Sequence, residues 1–200
     1  MTAAILLAGG ESRRMGRPKA LLPWGDTTLL AYQVRELRAA GIDDVVVVLG
    51  HAADQVRAHV PPEARVVVNE AYREGRASSL AVGAAALPDD ADPIAVLNVD
   101  QPRPQELLRG LLAAHQESGT LITLPVFQRR RGHPVVLAGA LLGELRAASE
   151  EAQGLRGVLA AHEDAVREVD LSSPIVLLDI NTPAQYEEAL AQFGARSPSA

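Results

Sequence analysis

The residues from Ala4 to Lys19 read Ala-Ile-Leu-Leu-Ala-Gly-Gly-Glu-Ser-Arg-Arg-Met-Gly-Arg-Pro-Lys, and they restrict the fold more than any other stretch. A short apolar run that ends in paired glycines predicts a buried strand opening directly into a loop. Glycines let the backbone turn tightly and approach a ligand closely, so the loop's N–H groups can face an anion. Arg13, Arg14, Arg17 and Lys19 then place positive charge where phosphates would lie. Lys19 is the only lysine among the 19 basic residues of the chain. An ammonium is a compact point charge, and arginine does not replace it where one phosphate is gripped at one point.

The loop is neither of the two commonest phosphate cradles. G-x-x-x-x-G-K-[ST] fails, because Gly16 is followed by Arg17-Pro18-Lys19-Ala20, and G-x-G-x-x-G is absent. The stretch resembles the signature L-A-[AG]-G-x-S-x-R-M-G-x-x-K of the MobA-like nucleotidyltransferases. Leu7, Ala8, Gly9, Gly10, Ser12, Arg14, Met15, Gly16 and Lys19 stand at its fixed positions. That family transfers a nucleotidyl group from an NTP onto a phosphorylated acceptor. The resemblance implies that Leu7, Ala8, Gly9, Gly10, Ser12, Arg13 and Gly16 bind the nucleotide. It also implies that Lys19 and Arg14 hold the β- and γ-phosphates and the leaving pyrophosphate.

Beyond the loop, strand and helix patterns alternate. Leu30, Val34 and Leu37 share one face of a helix that Thr27 or Thr28 could cap. Val45–Leu49 is a continuous apolar run suited to a strand covered on both faces. Further strands are predicted at Arg65–Asn69, Ile94–Leu97, Leu121–Val126, Pro134–Leu137 and Ile175–Leu178, with extended chain at Ala165–Val169. Helices are predicted at 52–59, 78–87, 105–116, 139–148 and 154–162 and from Thr182 onward. This order implies an α/β fold: a single doubly wound, mostly parallel sheet with helices on both faces, Rossmann-like. One nucleotidyltransferase domain is expected over 1–195, with a frayed tail at 196–200.

Charge and composition narrow the partners. A net charge of −6 argues against a general nucleic-acid binder, and aromatics at 3% leave little for base-stacking platforms. The chain has no cysteine, which removes thiolate nucleophiles, Cys-based zinc sites and disulfides. No apolar stretch is long enough to span a bilayer, and no basic region precedes the first apolar run. A cytoplasmic location is therefore expected.

Asp100 directly follows the run Ile94–Val99, and Asp179 follows Ile175–Leu178 in the same way. Each alone could be a helix N-cap. Together, at the ends of two strands, they could hold one Mg²⁺ against a triphosphate. The resemblance favours the metal, because Asp100-Gln101-Pro102 matches the family's D-x-P element and Asp179-Ile180-Asn181-Thr182-Pro183 its D-[IV]-[ND]-T-P element. Gly75-Arg76-Ala77-Ser78-Ser79 reads alone as a capped helix start, but it looks like the family's G-x-x-x-S element. That likeness implies base contacts from Gly75, Ser78 and Ser79. Arg129-Arg130-Arg131 reads alone as a solvated loop, yet Gly132-His133-Pro134 matches the element that lies near the acceptor in relatives. Arg131, Gly132 and His133 are thus candidates for an anionic acceptor.

The implied reaction is attack by an acceptor phosphate on the α-phosphorus of an NTP. Its nucleophile is already an anion at neutral pH, in keeping with a sequence that shows no Ser-His-Asp or Cys-His set. D-Q-P, G-H-P and D-I-N-T-P together look most like molybdenum cofactor cytidylyltransferases, with CTP as donor and molybdopterin as acceptor. Gly9 departs from the usual L-A-A-G of those enzymes and matches the guanylyltransferases, which use GTP. A sugar-phosphate nucleotidyltransferase is a further reading within the fold. A reading of another class is a non-catalytic nucleotide-binding chaperone of molybdoenzyme maturation, with a molybdoenzyme or chaperone as its protein partner.

Overall fold

The computed structural model describes residues 1–194, and the tail expected at 196–200 lies outside the described residues. In chain order the elements are β1 (Ala3–Leu7), the hairpin strands β2 (Pro23–Trp24) and β3 (Thr27–Thr28), α1 (Leu29–Ala39), β4 (Asp44–Leu49), α2 (Ala53–Arg57), β5 (Arg65–Val68) and α3 (Arg76–Ala86). There follow β6 (Ile94–Asn98), α4 (Gln105–Ser118), β7 (Ile122–Phe127), β8 (Arg130–Arg131), β9 (Val135–Leu137), α5 (Leu142–Arg146), α6 (Gly154–Ala161), β10 (Val166–Asp170) and α7 (Pro183–Phe193).

The main sheet runs β10-β7-β9-β6-β1-β4-β5, with β8 added to β7. β1 lies parallel to both β4 and β6, β5 is parallel to β4, and β10 to β7. β9 is antiparallel to β6 and to β7. Period-2 alternation sends the side chains of the central strands to two separate cores. Ala4, Leu6, Val45, Val47 and Leu49 pack with α1, α2 and α4 on one face. Ala3, Ile5, Val46 and Val48 pack with α3, α5 and α6 on the other. A strand covered on both faces must be apolar throughout, which is why 45–49 carries no polar residue. α1 opens where its cap was expected: the Thr28 hydroxyl accepts from Ala31 N at 3.2 Å.

The predicted strand at Ile175–Leu178 is instead a 3₁₀ turn, Pro174–Leu177. Ile175 and Val176 are buried against Leu107, beside Phe127 and Phe193. The apolar run therefore records burial and not strand pairing, and four residues are too few for periodicity to separate the two. Pro174 also lacks the N–H that a ladder would need. Asp179 thus follows a turn and not a strand end.

A third core cluster joins Leu22, Trp24 and Leu29 to Ile180, Tyr186 and Ala189. The Tyr186 hydroxyl donates to Pro23 O at 2.6 Å. This fastens α7 beside the N-terminal loop and carries residues 179–181 across to Lys19. From β1 the sheet extends to β4 on one side and β6 on the other, so the crevice of a doubly wound sheet opens at the carboxyl end of β1.

Candidate active site

The chain leaves β1 between its two neighbours, with Ala8 N donating to Val48 O (2.8 Å) and Val99 N to Leu7 O (2.9 Å). The following loop is closed by one side chain. Ser12 Oγ accepts from Lys19 N at 3.1 Å, and Gly16, at φ +68°, ends the 3₁₀ turn Arg13–Met15. Lys19 is thereby aimed inward. Its Nζ lies 2.7 Å from Asp100 Oδ2 and 2.8 Å from Asn181 Oδ1, joining the loop, the end of β6 and the segment before α7.

A cavity of about 420 Å³ opens over this point. Leu7, Ala8, Gly9, Gly10, Ser12, Arg13, Arg14 and Lys19 line it from the loop, Gly75 and Ser79 from the start of α3, and Asp100 from the end of β6. Two of the expected nucleotide residues do not reach it. Gly16 serves the turn of the loop. Ser78 is committed locally, its Oγ accepting from Asn69 Nδ2 (2.8 Å) and donating to Gly75 O (2.8 Å). Asn69, 2% exposed, also reaches Ser79 Oγ at 3.0 Å, so one buried amide sets both hydroxyls. Arg13 is paired with Glu11. Tyr72, Arg76, Asn98 and Asn181 line the cavity too, without having been expected.

The position of Gly9 has a packing cause. A Cβ there would meet Gly50 N at 3.2 Å and Leu49 C at 3.4 Å, so residue 9 is pressed against the end of β4.

A second cavity of about 620 Å³ continues from the first and shares Leu7, Arg76, Asn98, Asp100 and Asn181 with it. Val96, Val135, Leu155 and Leu159 give it an apolar wall, while His133, Arg156, Gln101 and Asp179 supply its polar groups. Burial foremost, and then the Arg103 cation, hold the His133 pKa below the usual imidazole range, so it is neutral at pH 7. The three candidates for the acceptor fare differently. His133 lines this cavity. Gly132 packs instead against Val176 O, 2.2 Å from where its Cβ would stand. Arg131 points away, its guanidinium bonded to Glu163 and to Glu168 at 2.6 Å each.

Asp179 is joined to the Asp100 loop not by a second strand end but by two hydrogen bonds. Ile180 N donates to Asp100 O at 2.9 Å, and Gln101 Nε2 donates to Asp179 Oδ1 at 2.6 Å. Gln33, fully buried on α1, stitches the same loop through Nε2 to Asn98 O, Val99 O and Gln101 O at 2.9–3.3 Å. Asp100, Asp179 and Asn181 line one cavity, Lys19 Nζ bonding Asp100 Oδ2 and Asn181 Oδ1, and their carboxylate and amide oxygens are the hard donors that suit Mg²⁺ or Mn²⁺. Among the described residues no third His, Asp or Glu joins them in a metal-sized cluster. A cation held there would complete its shell from phosphate oxygens and water, as such ions do beside nucleotides.

The profile of the MobA-like NTP transferase domain matches residues 4–166. The chain belongs to the MobA-like NTP transferase family. It is 32% identical over 195 residues to a Paenarthrobacter nicotinovorans protein named nicotine blue oxidoreductase, covering 93% of this chain and 95% of that one. It is 30% identical to a molybdenum cofactor guanylyltransferase of Xanthomonas euvesicatoria pv. vesicatoria, covering 93% of each. Among solved structures, Rv0371C of Mycobacterium tuberculosis H37Rv in complex with manganese superposes with a TM-score of 0.77 at 32% identity, over 95% of this chain and 97% of that one. No helix among the described residues of this MobA-like chain is long and apolar enough to cross a membrane.

Proposed function

We propose that this nucleotidyltransferase moves CMP from CTP onto the phosphate of an anionic pterin acceptor of the molybdenum-cofactor type, with a divalent cation, Mg²⁺ or Mn²⁺. The observation that carries the reading is Lys19, held between Asp100 and Asn181 at the seam shared by the two cavities. It puts a cation and a carboxylate where a nucleotide in the first cavity would face an acceptor in the second.

In the reaction an acceptor phosphate oxygen bonds to the α-phosphorus as the bond to the β-bridging oxygen breaks, and that electron pair leaves with pyrophosphate. Lys19 and Arg14 stabilise the departing charge. Asp100, Asp179 and Asn181 would hold the cation, which when bound supplies charge neutralisation at the α-phosphate. The neutral His133 and Arg156 face the acceptor's anionic group, and the apolar wall of Val135, Leu155 and Leu159 takes its ring system. The relative that is a molybdenum cofactor guanylyltransferase supports the acceptor class, and the neighbour solved with manganese supports a divalent cation. D-Q-P, G-H-P and D-I-N-T-P support CTP, and Gly9, whose missing side chain is accounted for by β4, loses its weight in favour of GTP.

The test is thermal unfolding with CTP, GTP, ATP and UTP, each with and without Mg²⁺, in the wild type and in Asp100→Asn. A ligand at 100 times its Kd adds about 2.7 kcal/mol, which for a chain of this length raises Tm by about 5–10 °C. The expected result is a Mg²⁺-enhanced shift with CTP that Asp100→Asn loses. A shift confined to GTP moves the donor assignment, and no shift with any nucleotide overturns the reading. The relative named an oxidoreductase gives the second reading, redox chemistry in the same cleft; turnover without pyrophosphate release would favour it.

A further inference from the structure

Arg103, just after Asp100-Gln101-Pro102, is fully buried. A guanidinium removed from water is ordinarily paired with a carboxylate. Here its hydrogen bonds among the described residues all go to backbone carbonyls: Nε to His133 O (2.8 Å), Nη1 to Pro102 O (3.0 Å) and Leu178 O (3.2 Å), Nη2 to Val176 O (2.9 Å) and Leu178 O (3.1 Å). Burial brings its pKa down to about 10 against the opposing pull of Asp179 and Asp100, so it remains cationic at neutral pH.

The carbonyls belong to three segments, and each segment carries a group of the cleft. Pro102 follows Asp100 and Gln101, Leu178 precedes Asp179, and His133 is itself in the acceptor cavity. None of these segments has the ladder bonds of a sheet, Pro102 lying between the end of β6 and α4. Pro174–Leu177 is a 3₁₀ turn, and 132–134 is the connection from β8 to β9. They meet where His133 N donates to Val176 O at 3.0 Å, beside Gly132. Five N–H donors fixed in one plane can serve carbonyls converging from several directions, whereas the three donors of a lysine radiate from one point. The charge acts in the same place. It lies behind Asp100 and Asp179 and lowers the cost of holding two carboxylates close together.

We propose that Arg103 is a positioning residue whose guanidinium fixes Asp179 and His133 relative to Asp100, so that it sets the cation-binding and acceptor half of the cleft and leaves the nucleotide loop untouched. The proposal rests on the nucleotidyltransferase reading above. Among the described residues Arg103 makes no hydrogen bond to residues 9–19; that loop is closed by Ser12 and meets the segments held by Arg103 through Lys19, which bonds Asp100 and Asn181.

The experiment compares Arg103→Lys and Arg103→Met with the wild type by thermal unfolding, by nucleotide Kd without metal, and by Mn²⁺ titration in the presence of nucleotide followed by electron paramagnetic resonance. Leu111→Ala, a core change on α4, is the control for lost stability alone. For Arg103→Lys the expected result is a folded protein, a nucleotide Kd within about threefold of wild type, and a Mn²⁺ Kd weakened about 10–100-fold, the range for lost outer-shell partners. Leu111→Ala should lose Tm and keep its Mn²⁺ affinity. Wild-type Mn²⁺ affinity in Arg103→Lys would overturn the proposal, as would a loss that merely follows Tm across all variants. If Arg103→Met does not fold, Arg103→Lys decides alone. If the wild type binds no Mn²⁺ with any nucleotide, the function reading fails and takes this inference with it.

Discussion

Gln101→Leu separates the orientation of Asp179 from its mere presence. Gln101 is 2% exposed, and its amide is used at both ends. Oε1 accepts from Asn98 N at 2.9 Å, and Nε2 donates to Asp179 Oδ1 at 2.6 Å. Leucine fills nearly the same space, so no large cavity opens and the loss is polar. Asp179 is exposed, and water can replace the lost donor on its carboxylate. Asn98 N, at the part-buried end of β6, loses its acceptor, and leaving it unpartnered costs about 1–3 kcal/mol. For a chain of this length that lowers Tm by about 2–12 °C. The functional loss comes from the other bond. Freed from Gln101, the Asp179 carboxylate samples several rotamers, and with Asp179 holding the cation as proposed, turnover should fall about 10–100-fold, the range for lost outer-shell partners. Differential scanning calorimetry gives the first quantity and pyrophosphate release with saturating nucleotide the second. A folded Gln101→Leu with lowered Tm but wild-type turnover would refute the claim that this bond aims Asp179.

Arg131→Ala should leave acceptor KM within about twofold, because the side chain is spent on Glu163 and Glu168 and its exposed ion pairs are worth about 1 kcal/mol or less; a tenfold rise in KM would return it to the acceptor site. Gly9→Ala should cost on the order of 1 kcal/mol through contact with Gly50, without changing the ranking of CTP and GTP in a nucleotide thermal-shift panel; reversal of that ranking would make residue 9 a base selector after all. His115 is 5% exposed, bonded through Nδ1 to Thr123 Oγ1, and burial lowers its pKa, so the native state resists a proton that the unfolded chain accepts near pH 6.5. Below pH 6.5 the unfolded state binds more protons, and stability falls with pH until the folded pKa is reached, by about 1.4 kcal/mol for each unit between the two pKa values. Urea unfolding at pH 7.5, 6.5 and 5.5 should show that slope in the wild type and a shallower one in His115→Gln.

What the chain discloses locally and what it withholds differ for a physical reason. The nucleotide loop is legible because its glycines, its cations and the strand before it fall within sixteen residues, so their spacing is already their geometry. Asp179 is legible as a residue but not in its setting, since a four-residue apolar run is equally a strand and a buried turn. Arg131 points away from the cleft although His133, two residues on, lines it; its direction follows from Glu163 and Glu168, some 32 and 37 residues away and near β7 only because β10 pairs with it. Arg103 gives no local sign at all, for its partners lie up to 75 residues distant. Gln33 stands between these cases. It falls on the same stripe as Leu30, Val34 and Leu37, and a polar side chain on a buried helix face must find a partner or pay a desolvation cost of a few kcal/mol. That much periodicity discloses. That the partners are the carbonyls of Asn98, Val99 and Gln101, and that α1 therefore holds the loop of Asp100, follows only when α1 packs against the sheet. The candidate reacting groups of this site stand in short-range pattern, whereas the buried amides and guanidinium bonded around them depend on burial, which no short window of sequence contains.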